Sequence, residues 1–373
     1  MQMKYLCYLL GALMVFPVKM FNVGGVNYKL DEFLLVFIGV VFLCARHAKP
    51  VMFGYVFIVM AYVFYGAILV YMSGLVVNYD VFFRILQVLL VIIVMSMMSD
   101  VEKTAMLDGM ANWGPVFALL IVFYLVFKLD YSASVLVGSQ QHYKDFFNGP
   151  YSFLSVHINT VGTVLLLSIY LNLLKYKVTG KAVYFLLSIF MLLPPLMLFS
   201  KGDLLAVTLA LVYLCFARFR VSKLFFVFLA LGAVIAAIGW DFSRFDPTRE
   251  VLYSAALKAF IQNPFGYGIG TESQVIFALS GIDYPAHNFL LSAAIEAGVL
   301  GVAFFLALVI YSYRRNKSTL ARAFLLAFVV VGSFGNVMYF YKYHFVFFMM
   351  ITALFDKVYC QSVQLRSQRL AAI

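Results

Sequence analysis

The chain of 373 residues is 65% hydrophobic and 12% charged, with a formal net charge of +11. Those proportions exclude an ordinary soluble domain and indicate a polytopic membrane protein. The positive charge is accounted for by basic loops facing anionic lipid headgroups, so it does not call for nucleic acid.

Apolar runs long enough to cross roughly 30 Å of hydrocarbon as helices are read at 4–21, 30–45, 51–73, 81–98, 114–128, 152–174, 181–199, 203–217, 222–240, 287–312, 320–340 and 342–358. They predict an all-α transmembrane helical bundle of about 12 spans, with 1–373 as a single integral membrane domain. The first run follows Lys4 as a signal peptide would. No small-residue cleavage site ends it, and Pro17, Lys19 and Asn22 come next, so it reads as a retained span. Basic clusters at 175–181, 218–223 and 314–322 fall in short loops on one side of this topology. The positive-inside bias then predicts that both termini are cytoplasmic. Cys7, Cys44, Cys215 and Cys360 map to that same side, which argues against structural disulfides.

Two longer segments fall outside, at about 129–151 and at 241–286, the second lying between spans 9 and 10. Asp246-Pro247-Thr248 reads as a helix start, with Thr248 a candidate N-cap, and Arg249 to Ile261 continues at helical spacing until Asn263-Pro264 stops it. Leu252, Ala255, Ala256, Ala259 and Phe260 share one face, as in an amphipathic helix against a membrane surface or lining a cavity. Gly266, Gly268 and Gly270 allow positive φ or close backbone approach. Without a strand–loop–helix context they are a weak phosphate signal, and a flexible loop is the plainer reading. Pro285-Ala286-His287-Asn288 then opens the tenth span.

These residues carry a resemblance. An Arg-bearing amphipathic helix (Arg249), Asn263-Pro264, Gly266-Tyr-Gly268, His287-Asn288 and Glu296-Ala-Gly298-Val-Leu-Gly301 together resemble the signature of the O-antigen ligase and O-antigen polymerase superfamily of membrane glycosyltransferases. Ser200-Lys201-Gly202 lies where that family commonly carries Ser-Arg-Gly, and Gly149-Pro150 and His157-Ile-Asn159 fall near its sixth span. The resemblance covers roughly residues 145–345. Two departures stand out: Lys201 replaces an arginine, and Arg249 lacks the ligase spacing Arg-x-x-x-Leu because Leu252 comes one position early.

The resemblance implies an O-antigen ligase of the bacterial inner membrane. Such an enzyme moves a glycan from an undecaprenyl-diphosphate carrier to a lipid A-core sugar, within a periplasmic catalytic loop at 241–286. A polymerase, with a second lipid-linked glycan as acceptor, is the alternative. Transfer from a lipid diphosphate needs a base for the acceptor hydroxyl and cations for the departing diphosphate. His287 is the candidate base, since imidazole titrates near working pH, although a histidine at a helix start also serves as a plain hydrogen bonder.

Arg249, Arg244 and Lys201 are the candidate diphosphate clamp, against the alternative of snorkelling or pairing with Asp241, Asp246 or Glu250. Arg84, four residues into a span, is a further candidate because charge at that depth is costly. Asn288 is expected to orient His287 or cap its helix, Gly266 and Gly268 to approach the substrate, and Glu296 to pair with a buried cation. No Asp-x-Asp, His-Glu-x-x-His or paired outer cysteine occurs, so neither a metal nor another cofactor is expected. A flippase or transporter would place ionisable residues within many spans and pair broken helices in symmetric halves. The central spans carry almost no charge, and Pro194-Pro195 has no counterpart.

Overall fold

The computed structural model describes residues 3–16, 18–23, 26–45, 53–75, 79–127, 161–197, 205–210, 213, 247–286, 288–316, 318–334 and 356–371. These are mostly helical. Among the described residues three helices are long and apolar enough to cross a membrane, Gly54–Ser73, Asp100–Phe127 and Phe289–Arg315. Several shorter apolar helices accompany them. The predicted span at 222–240 and residues 342–355 of the last one lie outside the described residues.

The first departure from the sequence reading comes at once. Helix α1 (Met3–Val15) ends well short of the predicted span, and the chain turns into an antiparallel hairpin of β1 (Lys19–Val23) and β2 (Val26–Lys29). Gly24-Gly25 falls between the strands in sequence, a pair that favours a two-residue hairpin turn. The all-α expectation is corrected to that extent. The Leu30 N–H donates to the Val18 carbonyl at 2.9 Å and ties the hairpin to the start of α2 (Leu30–Ala45).

Helices α3 (Phe53–Ser73) and α4 (Tyr79–Met97) follow close to the predicted limits. The next one does not. Helix α5 (Asp100–Phe127) begins fourteen residues before the predicted start at 114 and carries Pro115 within it. Its start is a capping box. The Glu102 carboxylate accepts the Ser99 N–H at 2.8 Å and the Ser99 hydroxyl at 2.7 Å. Helices α1 and α5 cross at small residues, where a Cβ on Gly11 would collide with the Met106 carbonyl and one on Gly109 with that of Tyr8.

Helix α6 (Val161–Thr179) runs five residues past the predicted end at 174, and residues 152–160 of that run lie outside the described residues. The run at 181–199 is two helices, α7 (Ala182–Phe190) and α8 (Leu193–Met197), parted by a turn at Met191-Leu192 just before Pro194-Pro195. Proline removes a helical donor and clashes with the preceding turn, which accounts for the break. Then come α9 (Pro247–Gln262), the unforeseen α10 (Glu272–Ser280), α11 (Phe289–Arg315), α12 (Thr319–Phe334) and α13 (Asp356–Ala371).

The large apolar core joins α1 to α6 with α11, α12 and α13, and a second one lies among α9, α10 and the start of α11. At one edge of the first, the buried Asp108 of α5 accepts from Arg366 at 2.6 Å, from Lys175 at 3.3 Å and from the Tyr359 hydroxyl at 3.1 Å. Lys175 also donates to the Asn112 side chain at 3.0 Å. The terminal helix α13 is thereby tied to α5 and α6. Lys175 and Arg366, which the positive-inside reading puts on the same side, meet on one carboxylate.

Candidate functional site

Leu252, Ala255, Ala256 and Ala259 are buried along one face of α9, as the helical spacing predicts. The surface they meet is protein, since this face packs with α10 and α11 in the second core. Helix α9 stops at Asn263, whose side-chain amide donates to the Gly266 carbonyl at 2.7 Å and whose Oδ1 accepts from the Phe265 N–H at 3.3 Å. Asparagine favours such local turns because its side chain imitates backbone groups.

The loop after Asn263 runs into an interruption of α11. Ala297 (φ −133°, ψ 17°) and Gly298 (φ 59°, ψ −147°) leave helical geometry there. A broken helix in an apolar setting frees backbone groups that must find partners. The loop supplies them. The Tyr267 N–H donates to the Ile295 carbonyl at 2.8 Å, Gly268 to Glu296 at 2.8 Å, and Val299 to the Pro264 carbonyl at 2.9 Å.

The glycines make this docking possible. A Cβ on Gly266 would lie 2.6 Å from the Gly298 nitrogen, one on Gly268 would lie 2.6 Å from the Val70 nitrogen of α3, and one on Gly298 would collide with the Pro264 carbonyl. Gly298 also has φ in the left-handed region, where any side chain is strained. Gly266 and Gly268 are therefore close-packing positions, and both of their N–H groups bond within the protein, to Asn263 and Glu296.

Helix α3 closes the other side of the loop. The Tyr62 hydroxyl donates to Glu296 at 2.6 Å, the Tyr65 hydroxyl to the Phe265 carbonyl at 3.0 Å, and the Ile269 N–H to the Gly66 carbonyl at 3.3 Å. Buried Glu296 also accepts the Gly270 N–H at 2.7 Å, so a phenol and a peptide group are among its partners. The Tyr267 hydroxyl donates to the Ala259 carbonyl at 3.3 Å, and burial pushes it above its ordinary pKa.

A second carboxylate holds the start of α11. Glu272, buried in the first turn of α10, accepts the Ala286 N–H and the Ser292 hydroxyl through Oε1, each at 2.8 Å. Ser292 also donates to the Asn288 carbonyl at 3.0 Å. Asn288 is the N-cap, its Oδ1 accepting from Leu290 at 2.9 Å and Leu291 at 3.2 Å. Capping by asparagine stabilises a helix start by about 1 kcal/mol. The residues on either side of His287 are thus fixed.

Of the residues expected to carry function, Arg249 lies half-buried in the first turn of α9, Asn288 caps α11, and Gly266 and Gly268 sit in the docked loop. His287, Arg244, Lys201 and the side chain of Arg84 on α4 lie outside the described residues. Three participants were missed: Tyr62 and Tyr65, one helical turn apart on α3, and Glu272. Only Glu272 carried a signal, as an acidic residue at a helix start after a glycine turn. Among the described residues no group of three His, Cys, Asp or Glu side chains is arranged to hold a metal ion. No protein-family model matches the chain, and no curated protein matches it at a significant level.

Proposed function

We propose that this chain is an O-antigen ligase of the inner membrane, with both termini cytoplasmic and the 241–286 loop facing the periplasm. It would transfer a glycan from undecaprenyl diphosphate to a lipid A-core sugar. The observation that supports this reading is the contact between Asn263–Gly270 and Glu296–Gly301. These are the two stretches that the resemblance pairs at a distance in sequence, and here they form one unit through the Gly268–Glu296 and Val299–Pro264 hydrogen bonds.

In this reading the acceptor hydroxyl attacks the anomeric carbon of the donor sugar. The carbon–oxygen bond to the diphosphate breaks as the new glycosidic bond forms, and His287 takes the hydroxyl proton. Arg249, Arg244 and Lys201 stabilise the charge on the departing diphosphate, with Arg84 as a further contact. Asn288 and Glu272 fix the chain around His287. A polymerase would use the same groups on a second lipid-linked glycan.

The lipopolysaccharide banding of a deletion strain tests the assignment. Loss of all long chains, with polymer left on its lipid carrier, supports the ligase. A core bearing one repeat assigns the polymerase, and unchanged banding removes both.

A further inference from the structure

The end of α11 away from Asn288 carries a second cluster of polar groups. Arg314 and Arg315 close the helix, and Arg322 follows in α12. The Arg322 guanidinium lies over the Tyr313 ring, 4.8 Å from its centroid, and its Nε donates to the Asn316 carbonyl at 2.9 Å. Arg315 lies over the Tyr311 ring at 5.3 Å. Aromatic faces and a carbonyl thus hold two of the three cations in place.

Among the described residues nothing acidic answers this charge. Residues 297–355 contain no aspartate or glutamate, and among the described residues these arginines have no carboxylate partner. The Asn316 side chain is buried in the same turn, and among the described residues its Nδ2 has no hydrogen-bond acceptor. Ala303, Leu306, Ala307 and Ile310 are exposed along α11 at three- and four-residue spacing, and the stripe runs directly to exposed Arg314. An apolar stripe ending in arginines and an unused amide donor matches an amphiphile with an anionic oxygen-rich head.

We propose that the α11–α12 turn binds the phosphodiester headgroup of an anionic phospholipid, whose acyl chains lie along Leu306 and Ile310. The inference needs α11 to span the bilayer and is independent of the transfer reaction.

Native mass spectrometry of the full chain in detergent tests it, with phosphatidylglycerol, phosphatidylcholine of the same acyl chains, and inorganic phosphate as probes. The wild type retains phosphatidylglycerol preferentially, and free phosphate does not displace it. Changing Arg314, Arg315 and Arg322 to Gln lowers that affinity by about fivefold per arginine. Equal retention of the two lipids, displacement by phosphate, or unchanged affinity in the triple variant overturns the proposal. Should the variant not fold, a photoactivatable phosphatidylglycerol decides with the wild type alone. Labelling of the peptide holding Leu306 and Ile310 above that from the matching phosphatidylcholine probe supports the site, and equal labelling overturns it.

Discussion

The carboxylate of Glu296 and the backbone N–H of Gly270, 26 residues apart, meet at 2.7 Å, and the same carboxylate takes the Tyr62 hydroxyl at 2.6 Å. One buried acid therefore joins α3, the glycine loop and the interruption of α11. The loop is a fixed part of the fold, because the backbone groups released at Ala297-Gly298 are the ones it satisfies.

If that docking holds α11 in its broken form, Gly298→Ala combines left-handed strain with a collision against Pro264. The expected loss is about 3 kcal/mol or more. Gly281 has φ 71° with nothing within 4 Å of a Cβ, so Gly281→Ala should lose only the strain, about 1–2 kcal/mol. Thermal unfolding in detergent compares the two. Equal losses would show that the contact with Pro264 does not matter.

Glu272→Ala leaves the Ala286 N–H without its acceptor and the Ser292 hydroxyl with the Asn288 carbonyl alone, at a cost of about 1–3 kcal/mol. Hydrogen exchange at the Ala286 amide should quicken at least about tenfold, while Glu272→Gln, which keeps an acceptor oxygen, stays near wild type. Unchanged exchange in the alanine variant would mean that Glu272 does not hold the chain beside His287.

Asp108→Ala should destabilise far more than Arg366→Ala. It strands the buried Lys175, for which about 3–5 kcal/mol is typical, whereas Arg366 is 52% exposed and its pair with Asp108 is worth about 1 kcal/mol or less. Paired melting curves check the order. A larger loss at Arg366 would show that docking of α13 dominates the cluster.

How much was readable in advance depends on range. The α9 face and its stop at Asn263-Pro264 rest on local spacing and turn chemistry, and both appear as expected. Limits set by an apolar run failed where a polar cap, a hairpin or a proline pair decided instead, as at Ser99–Glu102, after Val15 and at Pro194-Pro195. Within the site, Gly266, Gly268 and Gly298 stood out as a pattern, but their reason, the seating of a loop in a helix break, joins residues roughly thirty positions apart. Tyr62 and Tyr65 had no sequence mark at all. Their partners come from the far end of the chain, and a tyrosine in an apolar run looks like any other lipid-facing or core aromatic.

The most direct test of the central claim is transfer by purified full-length protein in nanodiscs. It is given an undecaprenyl-diphosphate glycan and a lipid A-core acceptor in excess EDTA, with wild type and His287→Ala side by side. Wild type should transfer without added metal, and His287→Ala, folded and equally abundant, should fall by at least about a hundredfold. Wild-type rates from the alanine variant, or loss of wild-type transfer that magnesium restores, would contradict a metal-independent reaction with His287 as its base.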